Sequence, residues 1–388
     1  MPSLDTLLVH AGEPSPRIEG AVALPVFQTA MYTFGGADGL DELRYIRYNN
    51  TPNHRVLAEK LAALEGAEAA VVTASGMAAI SAALLGVLRP GDHLLVQGAL
   101  YGGTYGLVWR ELTGLGIEVG TLDVARPATW AAALKPNTRA VYVEAITNPL
   151  MEVGALDEVA AFARAHGLVS LIDNTFATPV NFRPVEVGFD LVLHSATKYL
   201  NGHSDLVAGV VAGRADLVGK AEAKLRLLGG VLDPHACFLL YRGLKTLALR
   251  MQRHNESALR LARFLEDHPR IERVHYPGLP SSPHHERAAR LFRGYGGMIS
   301  FEPAGGLEAA ERLLRRLRLP VVAPSLGGVE TLITRPAVTS HAGLAPHERQ
   351  RLGIHDHLVR LSVGIEGTDD LIADFEQALS AIGAETPA

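Results

Sequence analysis

The sequence predicts an α/β protein, in which a mostly parallel β-sheet has helices on both faces and a smaller α+β domain follows. The first observation is that short apolar runs alternate with helical stretches up to about residue 243, as in parallel sheets whose crossover helices cover both faces. The second is that long helical stretches begin near Arg242 and precede the last strands. We therefore divide the chain into an N-terminal arm over 1–50, a large domain over 51–243 and a small domain over 244–388.

Composition and charge exclude several classes of protein. The chain has 388 residues, of which 48% are hydrophobic, enough for a large core and more than one domain. Its formal net charge of −5 leaves no basic excess for nucleic acid or an anionic membrane surface. The single cysteine, Cys237, cannot form an internal disulfide, which favours a reducing compartment.

No targeting or membrane-spanning segment is predicted. The N-terminus has acidic and polar residues where a signal peptide needs an apolar core. The uncharged stretch from Val71 to Leu88 is at the short limit for a membrane span and contains several hydroxyl groups, so we interpret it as a strand running into a buried helix. We therefore expect a soluble, cytoplasmic protein.

The predicted large domain follows an irregular arm that contains several prolines. Leucines recur at helical spacing over 57–64, and Gly66 offers an end for that helix. Short apolar runs then predict strands at 69–72, 93–96, 140–144, 168–172, 189–194 and 207–211. Further helices are predicted from about Ala78 and over 156–166.

The predicted small domain alternates long helices with strands. The pattern indicates a helix over 246–266, a Gly-rich strand over 296–301, a charged amphipathic helix over 307–318, a strand over 358–363 and a final helix that begins near Thr368.

A lysine and an acid stand at the ends of two predicted strands of the large domain. Lys198 follows the strand at 189–194 and is flanked by Ser195 and Thr197, and Asp173 ends the strand upstream. Open α/β sheets place their ligands at such strand ends. The pair fits pyridoxal phosphate, which a lysine holds as a Schiff base while a carboxylate keeps the pyridine nitrogen protonated. The two hydroxyls would bind the phosphate, and nearby cations and desolvation would lower the Lys198 pKa, so that it also serves as a base.

Three other stretches have weaker signals. The Ser75–Gly76 turn between a strand and a helix offers free N–H groups as a phosphate seat. The glycines after Tyr101 do not form a dinucleotide fingerprint but let a ligand approach closely beside an aromatic ring. The stretch 44–52 is rich in cations and aromatics, and its residues alone fit a polar loop as well as an anion clamp.

Alternative functions lack supporting residues. A metalloenzyme would have to use His284–His285 or His355–His357, and neither pair has a third ligand at recognisable spacing, so we predict no metal. A Schiff-base enzyme without cofactor, such as an aldolase, would need no phosphate seat. A non-catalytic binding protein on this fold would not need Lys198, Asp173 and Arg360, an arginine in the predicted strand at 358–363, together.

Several motifs in order carry a family resemblance. They are Ser195-Ala196-Thr197-Lys198-Tyr199 with Gly202-His203-Ser204-Asp205, Arg242-Gly243-Leu244-Lys245-Thr246-Leu247, and Ser325-Leu326-Gly327-Gly328-Val329-Glu330-Thr331-Leu332. The chain resembles the Cys/Met-metabolism family of pyridoxal-phosphate enzymes, which includes cystathionine γ-synthase, cystathionine γ- and β-lyases and methionine γ-lyase, over nearly its whole length. The resemblance implies the aspartate-aminotransferase fold (fold type I) and pyridoxal 5'-phosphate as cofactor.

The resemblance also implies roles for individual residues around the cofactor. Lys198 would be the Schiff-base lysine, Asp173 the partner of the pyridine nitrogen, and Tyr101 the ring that stacks on the cofactor and exchanges protons with the leaving or incoming group. The phosphate would be bound by Gly76, Met77, Ser195 and Thr197, together with Tyr45 and Arg47 from the arm of the neighbouring subunit.

The substrate side and the assembly follow from the same resemblance. Asn148 would lie near the ring hydroxyl and the substrate, and Arg360 would grip the substrate carboxylate beside Ser325. The active site would be shared across a dimer, and two dimers would form a tetramer. The sequence of residues 46–53 departs from the Arg-x-x-Asn-Pro-Thr motif that is usual in the family.

The implied reaction is γ-replacement or γ-elimination on homoserine esters or cystathionine, as in cystathionine γ-synthase or γ-lyase. A cystathionine β-lyase, a methionine γ-lyase or a homocysteine-forming sulfhydrylase is the alternative. Gly103 stands where methionine γ-lyases typically have a cysteine, which argues against efficient methionine cleavage. Pro324 stands where many γ-synthases and γ-lyases have a glutamate, although plant-type γ-synthases share Ala-Pro-Ser here.

Overall fold

The computed structural model describes residues 2–34 and 43–382 and contains two β-sheets. The larger sheet has seven strands in the order β1-β7-β6-β5-β4-β2-β3. Its strands are β1 Ala69–Thr73, β2 His93–Gln97, β3 Glu118–Leu122, β4 Thr138–Glu144, β5 Val169–Asp173, β6 Leu191–Ser195 and β7 Gly209–Gly213. Strands β2 to β6 are paired in parallel and only β7 is antiparallel to both neighbours. The predicted mostly parallel sheet is confirmed.

Helices cover both faces of this sheet, as predicted. The helices of this part of the chain are α1 Leu4–His10, α2 Pro52–Glu65, α3 Gly76–Val87, α4 Gly102–Gly106, α5 Leu156–Ala165, α6 Thr178–Asn181, α7 Pro184–Val187, α8 Ala215–Leu228 and α9 Pro234–Leu244. Strand β4 shows the two faces, because Val141 and Val143 pack with α2 and α5 whereas Ala140 and Tyr142 pack with α3 and α8. A strand buried on both sides explains why the apolar runs of the sequence do not alternate with polar residues.

The second sheet has five strands in the order β10-β11-β12-β9-β8 and belongs to the C-terminal part of the chain. Its strands and helices are α10 Leu247–Asp267, β8 Ile271–His275, α11 His285–Leu291, β9 Met298–Pro303, α12 Gly306–Arg316, β10 Val321–Val322, β11 Leu332–Thr334, α13 Pro346–Arg351, β12 Val359–Ser362 and α14 Thr368–Ile382. Apolar residues of α10, α12 and α14 cover one face of the sheet. The smaller α+β part is confirmed, while the boundaries at 50/51 and 243/244 stay a prediction.

The sequence pattern does not predict strands β3, β8, β10 and β11 or the helices α1, α4, α6, α7, α8, α9, α11 and α13. Strand β3 lies at the edge of its sheet and exposes Glu118, and β10 is two residues long and exposed, so neither has the apolar run that marks a buried strand. Helix α8 did have a signal, because Leu217, Ala221 and Leu225 recur at helical spacing and are buried. The stretch 71–88 forms β1 and α3, as predicted, and no helix of the described residues has the length and apolar character to span a membrane.

A buried arginine joins the two parts of the chain. Arg250 on α10 is 4% exposed and donates hydrogen bonds to the carbonyl oxygens of Tyr199 at 2.6 Å and Gly243 at 2.8 Å. It also donates to the Leu200 carbonyl at 3.3 Å. Gly202 has a φ of +75°, and a Cβ there would lie 2.1 Å from Arg250 Nη1, so glycine is required at this contact. Although burial lowers the pKa of Arg250 to about 10, its side chain stays charged at neutral pH.

We expect Arg250→Met to destabilise the protein by at least about 3 kcal/mol, because methionine keeps the apolar stem and leaves buried carbonyl groups without a donor. Arg263→Met is the matched control, since Arg263 is exposed on the same helix and its replacement should cost less than about 0.5 kcal/mol. Urea denaturation of both variants measures the difference. Equal losses in the two variants would contradict a special role for Arg250.

Candidate active site

A cavity of about 410 Å³ lies between the carboxyl ends of the parallel strands and the C-terminal sheet. Strand ends of the large sheet, the start of α3 and residues of the C-terminal part line it. All predicted site residues except Tyr45 and Arg47 are among the lining residues, which are Ser75, Gly76, Met77, Ile80, Tyr101, Glu144, Ile146, Asn148, Asp173, Thr175, Phe176, Ser195, Thr197, Lys198, Val207, Pro324, Ser325, Leu326 and Arg360.

Lys198 lies in the turn that follows β6, the turn whose carbonyl groups Arg250 holds. Its Nζ donates a hydrogen bond to Ser325 Oγ at 2.7 Å. Burial, and secondarily the positive charge of Arg360, lowers the pKa of Lys198 to about 8. The lysine therefore has an appreciable neutral fraction near pH 7.5, as a nucleophilic or basic amine requires.

Two buried carboxyl groups lie side by side at the ends of β4 and β5. Glu144 and Asp173 are paired in the parallel register of these strands. Asp173 accepts hydrogen bonds from the Thr175 N–H at 2.9 Å and the Tyr142 hydroxyl at 3.5 Å. Glu144 accepts one from the Tyr101 N–H at 2.7 Å. Burial raises the pKa of both groups, that of Glu144 to about 8 with the charge of Asp173 as a second cause.

No role is predicted for Glu144 from the sequence. A signal was present, because Glu144 ends an apolar strand in the same way as Asp173. In the structure it fixes the backbone at Tyr101, whose side chain is 43% exposed at the mouth of the cavity.

The start of α3 forms an anion seat at another wall of the cavity. Ser75 caps this helix, its Oγ accepting a hydrogen bond from the Ala78 N–H at 3.0 Å. Gly76 and Met77 are the first residues of the helix, so their N–H groups have no partner within it. A Cβ at Gly76 would lie 2.7 Å from the Ser195 Cβ, so only glycine lets the helix start approach β6 this closely. The Thr197 hydroxyl lies on the same wall and donates to the Ala208 carbonyl at 3.2 Å.

Arg360 on β12 lines the cavity from the C-terminal sheet. It is 4% exposed and donates hydrogen bonds to Asn148 Oδ1 at 3.0 Å and to the Ser325 carbonyl at 3.1 Å. Ser325 has a φ of +87°, an unfavourable backbone conformation for a serine. That conformation lets the residue accept from Arg360 through its carbonyl and from Lys198 through its hydroxyl.

Tyr45 and Arg47 do not reach the cavity of their own chain. Arg47 donates a hydrogen bond to the Arg226 carbonyl at 3.0 Å, and its guanidinium lies 4.9 Å from the centre of the Tyr48 ring. The tyrosine ring of Tyr45 packs edge-on against Tyr48. The predicted role of these two residues in a neighbouring subunit stays a prediction.

The lining residues fit the cofactor that the sequence predicts. Asp173 offers a buried carboxyl group for a protonated ring nitrogen, the start of α3 with Ser195 offers donors for a phosphate, and Lys198 offers an amine for an aldehyde. Because burial disfavours both the ionised acids and the protonated lysine, a ligand with charges of both signs would be better bound here than a neutral one.

Comparison with known proteins gives concordant results. Residues 5–380 match the profile of the family described as Cys/Met metabolism PLP-dependent enzyme. The chain is 43% identical to the L-methionine gamma-lyase of Fusobacterium nucleatum subsp. polymorphum, over 98% of each chain, and 42% identical to the O-succinylhomoserine sulfhydrylase of Pseudomonas aeruginosa, over 98% of this chain and 96% of that one. The crystal structure of cystathionine gamma synthase from Xanthomonas oryzae pv. oryzae is similar with a TM-score of 0.95, 38% identity and 99% of each chain covered.

The buried Glu144 predicts a pH effect on the stability of the cofactor-free protein. Because folding raises its pKa from 4.5 to about 8, the folded state binds more protons than the unfolded state in that window, and stability should fall as pH rises through it. Glu144→Gln should remove this contribution, which is at most about 1.4 kcal/mol per pH unit. Urea denaturation between pH 5 and about 8 measures the free energy of unfolding of both proteins. The value for the variant should rise relative to that of the wild type as the pH rises. Glu59→Gln, exposed on α2, is the control, and a constant difference between Glu144→Gln and wild type would contradict the prediction.

Proposed function

Since the chain belongs to the Cys/Met metabolism PLP-dependent enzyme family, we propose that it catalyses γ-replacement or γ-elimination on homoserine esters or cystathionine, as a cystathionine γ-synthase or γ-lyase does. The family uses pyridoxal phosphate and acts on small amino-acid substrates. The observation that carries the proposal is the position of Ser325, which joins the amine of Lys198 to the guanidinium of Arg360. This arrangement would hold an amino acid by its carboxylate with its α-carbon beside a basic amine.

The cofactor, when bound, accepts the electron pair that remains after a proton leaves the substrate carbon. Asp173 would keep the ring nitrogen protonated, and the N–H groups of Gly76 and Met77 with the hydroxyls of Ser195 and Thr197 would hold the phosphate. These side chains position the reacting atoms before the reaction begins.

Lys198 would move protons on one side of the substrate. With a pKa of about 8, its amine can take the α-proton and return it to a neighbouring carbon. Ser325 Oγ keeps Nζ in place by the 2.7 Å hydrogen bond. Arg360 would bind the carboxylate through a planar fork of donors, with Asn148 holding one end of that fork.

Tyr101 would act on the leaving or incoming group. Its backbone is fixed by Glu144 while its ring lies at the open end of the cavity, a position suited to exchange a proton with a group that enters from solvent.

Methionine γ-lyase is the second candidate, because 43% identity to such an enzyme favours it. The surroundings of Gly103 argue against methionine as the preferred substrate. A Cβ at this position would lie 2.7 Å from the Tyr101 ring and 2.9 Å from Met77 Sδ, so a cysteine would require these side chains to move. Where the substrate is cystathionine, Pro324, which also lines the cavity, offers no charge to the distal amino group of that substrate.

We further propose that the arm of a second subunit completes the phosphate site through Tyr45 and Arg47. The support is that both lie outside the cavity of their own chain, with Arg47 held on the surface of α8, while the family resemblance gives them a role in phosphate binding. The functional unit is then a dimer, and a pair of dimers forms a tetramer.

A product assay tests the proposed reaction. Purified holoenzyme is offered L-cystathionine, O-succinylhomoserine and O-acetylhomoserine with and without cysteine or sulfide, and L-methionine. We expect cystathionine from an ester and cysteine, or cysteine and 2-oxobutyrate from cystathionine, at rates above methanethiol release from methionine.

Other products would assign other members of the family. Homocysteine with pyruvate from cystathionine would indicate a β-lyase, and homocysteine from an ester and sulfide a sulfhydrylase. The Lys198→Ala variant should lack both product and the visible absorbance of bound cofactor, while Lys220→Ala, exposed on α8, should keep both.

Subunit mixing tests the shared site. Lys198→Ala and Arg47→Ala chains should each have low activity alone. When they are unfolded together and refolded as a mixture, about a quarter of wild-type activity should return, because about half of the dimers are mixed and each has one complete site. Lys198→Ala mixed with the double variant is the control and should stay inactive. No recovery in the first mixture would place Arg47 in its own subunit's site or outside any site.

A further inference from the structure

Two histidines and a glutamate meet at the edge of the C-terminal sheet. Glu302 lies on β9, and His355 and His357 lie in the turn that leads into β12. Glu302 Oε2 is 3.1 Å from His355 Nδ1 and 3.2 Å from His357 Nε2. One donor atom from each of the three residues lies within 4.8 Å of the other two. The two imidazole rings are nearly parallel, with an interplanar angle of 10°.

The spacing of these atoms suits a small metal ion. Zinc–nitrogen and zinc–oxygen bonds are about 2.0–2.2 Å long, so two ligand atoms at tetrahedral positions lie roughly 3.3–3.5 Å apart. The distances of 3.1 and 3.2 Å in the cluster are within a few tenths of an ångström of that value. The donor atoms of the two histidines lie within 4.8 Å of each other, so the rings would have to move to bring all three atoms to this spacing around one ion.

The surroundings supply what a metal site needs beyond its ligands. The second carboxylate oxygen, Oε1, lies 3.4 Å from His275 Nε2 on β8, and such an outer partner orients a ligating carboxylate. The Glu302 side chain is 6% exposed and that of His355 is 42% exposed, so the site has a buried base and an open side. A cavity of about 540 Å³, lined by His275, His284 and His355 among others, adjoins it.

We propose that Glu302, His355 and His357 bind a divalent transition-metal ion of the Zn²⁺, Co²⁺ or Ni²⁺ type. Imidazole nitrogens favour these ions over Mg²⁺ and Ca²⁺, which prefer oxygen ligands in larger number. Three protein ligands leave a coordination position for water on the exposed side. The site is separate from the candidate active site, since none of its ligands lines that cavity.

In the sequence this histidine pair has no third ligand at recognisable spacing, so no metal site is predicted there. That ligand comes from another strand of the sheet, where Glu302 is brought next to the turn by the antiparallel pairing of β9 and β12. His355 and His357 are two positions apart, and the turn between Ile354 and Leu358 brings their rings nearly parallel to each other beside Glu302.

The position of the site gives the ion an expected effect. Ser300, two residues before Glu302 and on the same side of β9, is paired with Arg360 and donates to the Pro149 carbonyl at 2.7 Å. An ion held by β9 and the turn before β12 would therefore stiffen the strand that carries Arg360. Bound metal should raise the thermal stability of the protein.

Cobalt binding to the holoenzyme tests the proposal. Tag-free enzyme is treated with a chelator, desalted and titrated with Co²⁺, whose ligand-field absorbance in the visible range reports low-symmetry coordination. Zn²⁺ affinity is then measured by competition with a chromophoric chelator. We expect saturation at one ion per chain and a metal-dependent rise in Tm.

Variants separate this site from other histidines. His355→Asn and His357→Asn should abolish the cobalt spectrum and the rise in Tm, and His275→Gln should weaken binding by about 10-fold or more. His347→Asn is the matched control, because His347 is exposed on α13 and outside the cluster, and it should bind as the wild type does. His355 is partly exposed, so its variant tests the site even if His357→Asn fails to fold.

Absence of saturable binding in the wild type would overturn the proposal and leave the three residues as a hydrogen-bonded cluster. Equal binding by wild type, His355→Asn and His357→Asn would also overturn it, because the ion would then be held elsewhere. Both results are independent of which amino acid the enzyme converts.

Discussion

The position of Lys198 depends on one buried cation, Arg250. Arg250, on α10, donates hydrogen bonds to the carbonyls of Tyr199 and Leu200 in the turn that contains Lys198 and to the carbonyl of Gly243 on α9. A guanidinium can satisfy several carbonyls at fixed angles, which neither a lysine nor a bound water does alone. The small part of the chain is thereby attached to the turn, so that β12 and the Ser325 loop approach Lys198 from the opposite side of the cavity.

Burial then sets the chemistry of the cavity. Glu144 and Asp173 at one side have raised pKa values, and Lys198 and Arg360 at the other have lowered ones. Desolvation is the first cause in every case, so burial in the cavity wall disfavours the charged form of each group. A ligand that brings a cationic ring nitrogen and anionic phosphate and carboxylate groups compensates all of them together. Binding of such a ligand would therefore stabilise the folded protein.

Sequence alone predicted the parts of the site that follow local rules. Lys198 and Asp173 could be found because each ends an apolar strand, and parallel strands bring such ends to one edge. Glu144 obeys the same rule and could have been included. The pairing of His355 and His357 with Glu302 could not be predicted, because it depends on the register of two strands that are far apart in sequence. The proposed role of Tyr45 and Arg47 in a second subunit rests on the family resemblance, because the residues of 44–52 alone fit a polar loop as well as an anion clamp.

At Ser325, the residue type that would be best for stability differs from the one that the proposed function needs. A non-glycine residue at a φ of +87° costs of the order of 1–3 kcal/mol, a cost that glycine would avoid. Glycine would also remove the hydroxyl that accepts the hydrogen bond from the Lys198 amine. Selection for heat resistance alone would thus favour glycine at this position, and selection for turnover would retain serine, so laboratory evolution under the two pressures should diverge at residue 325.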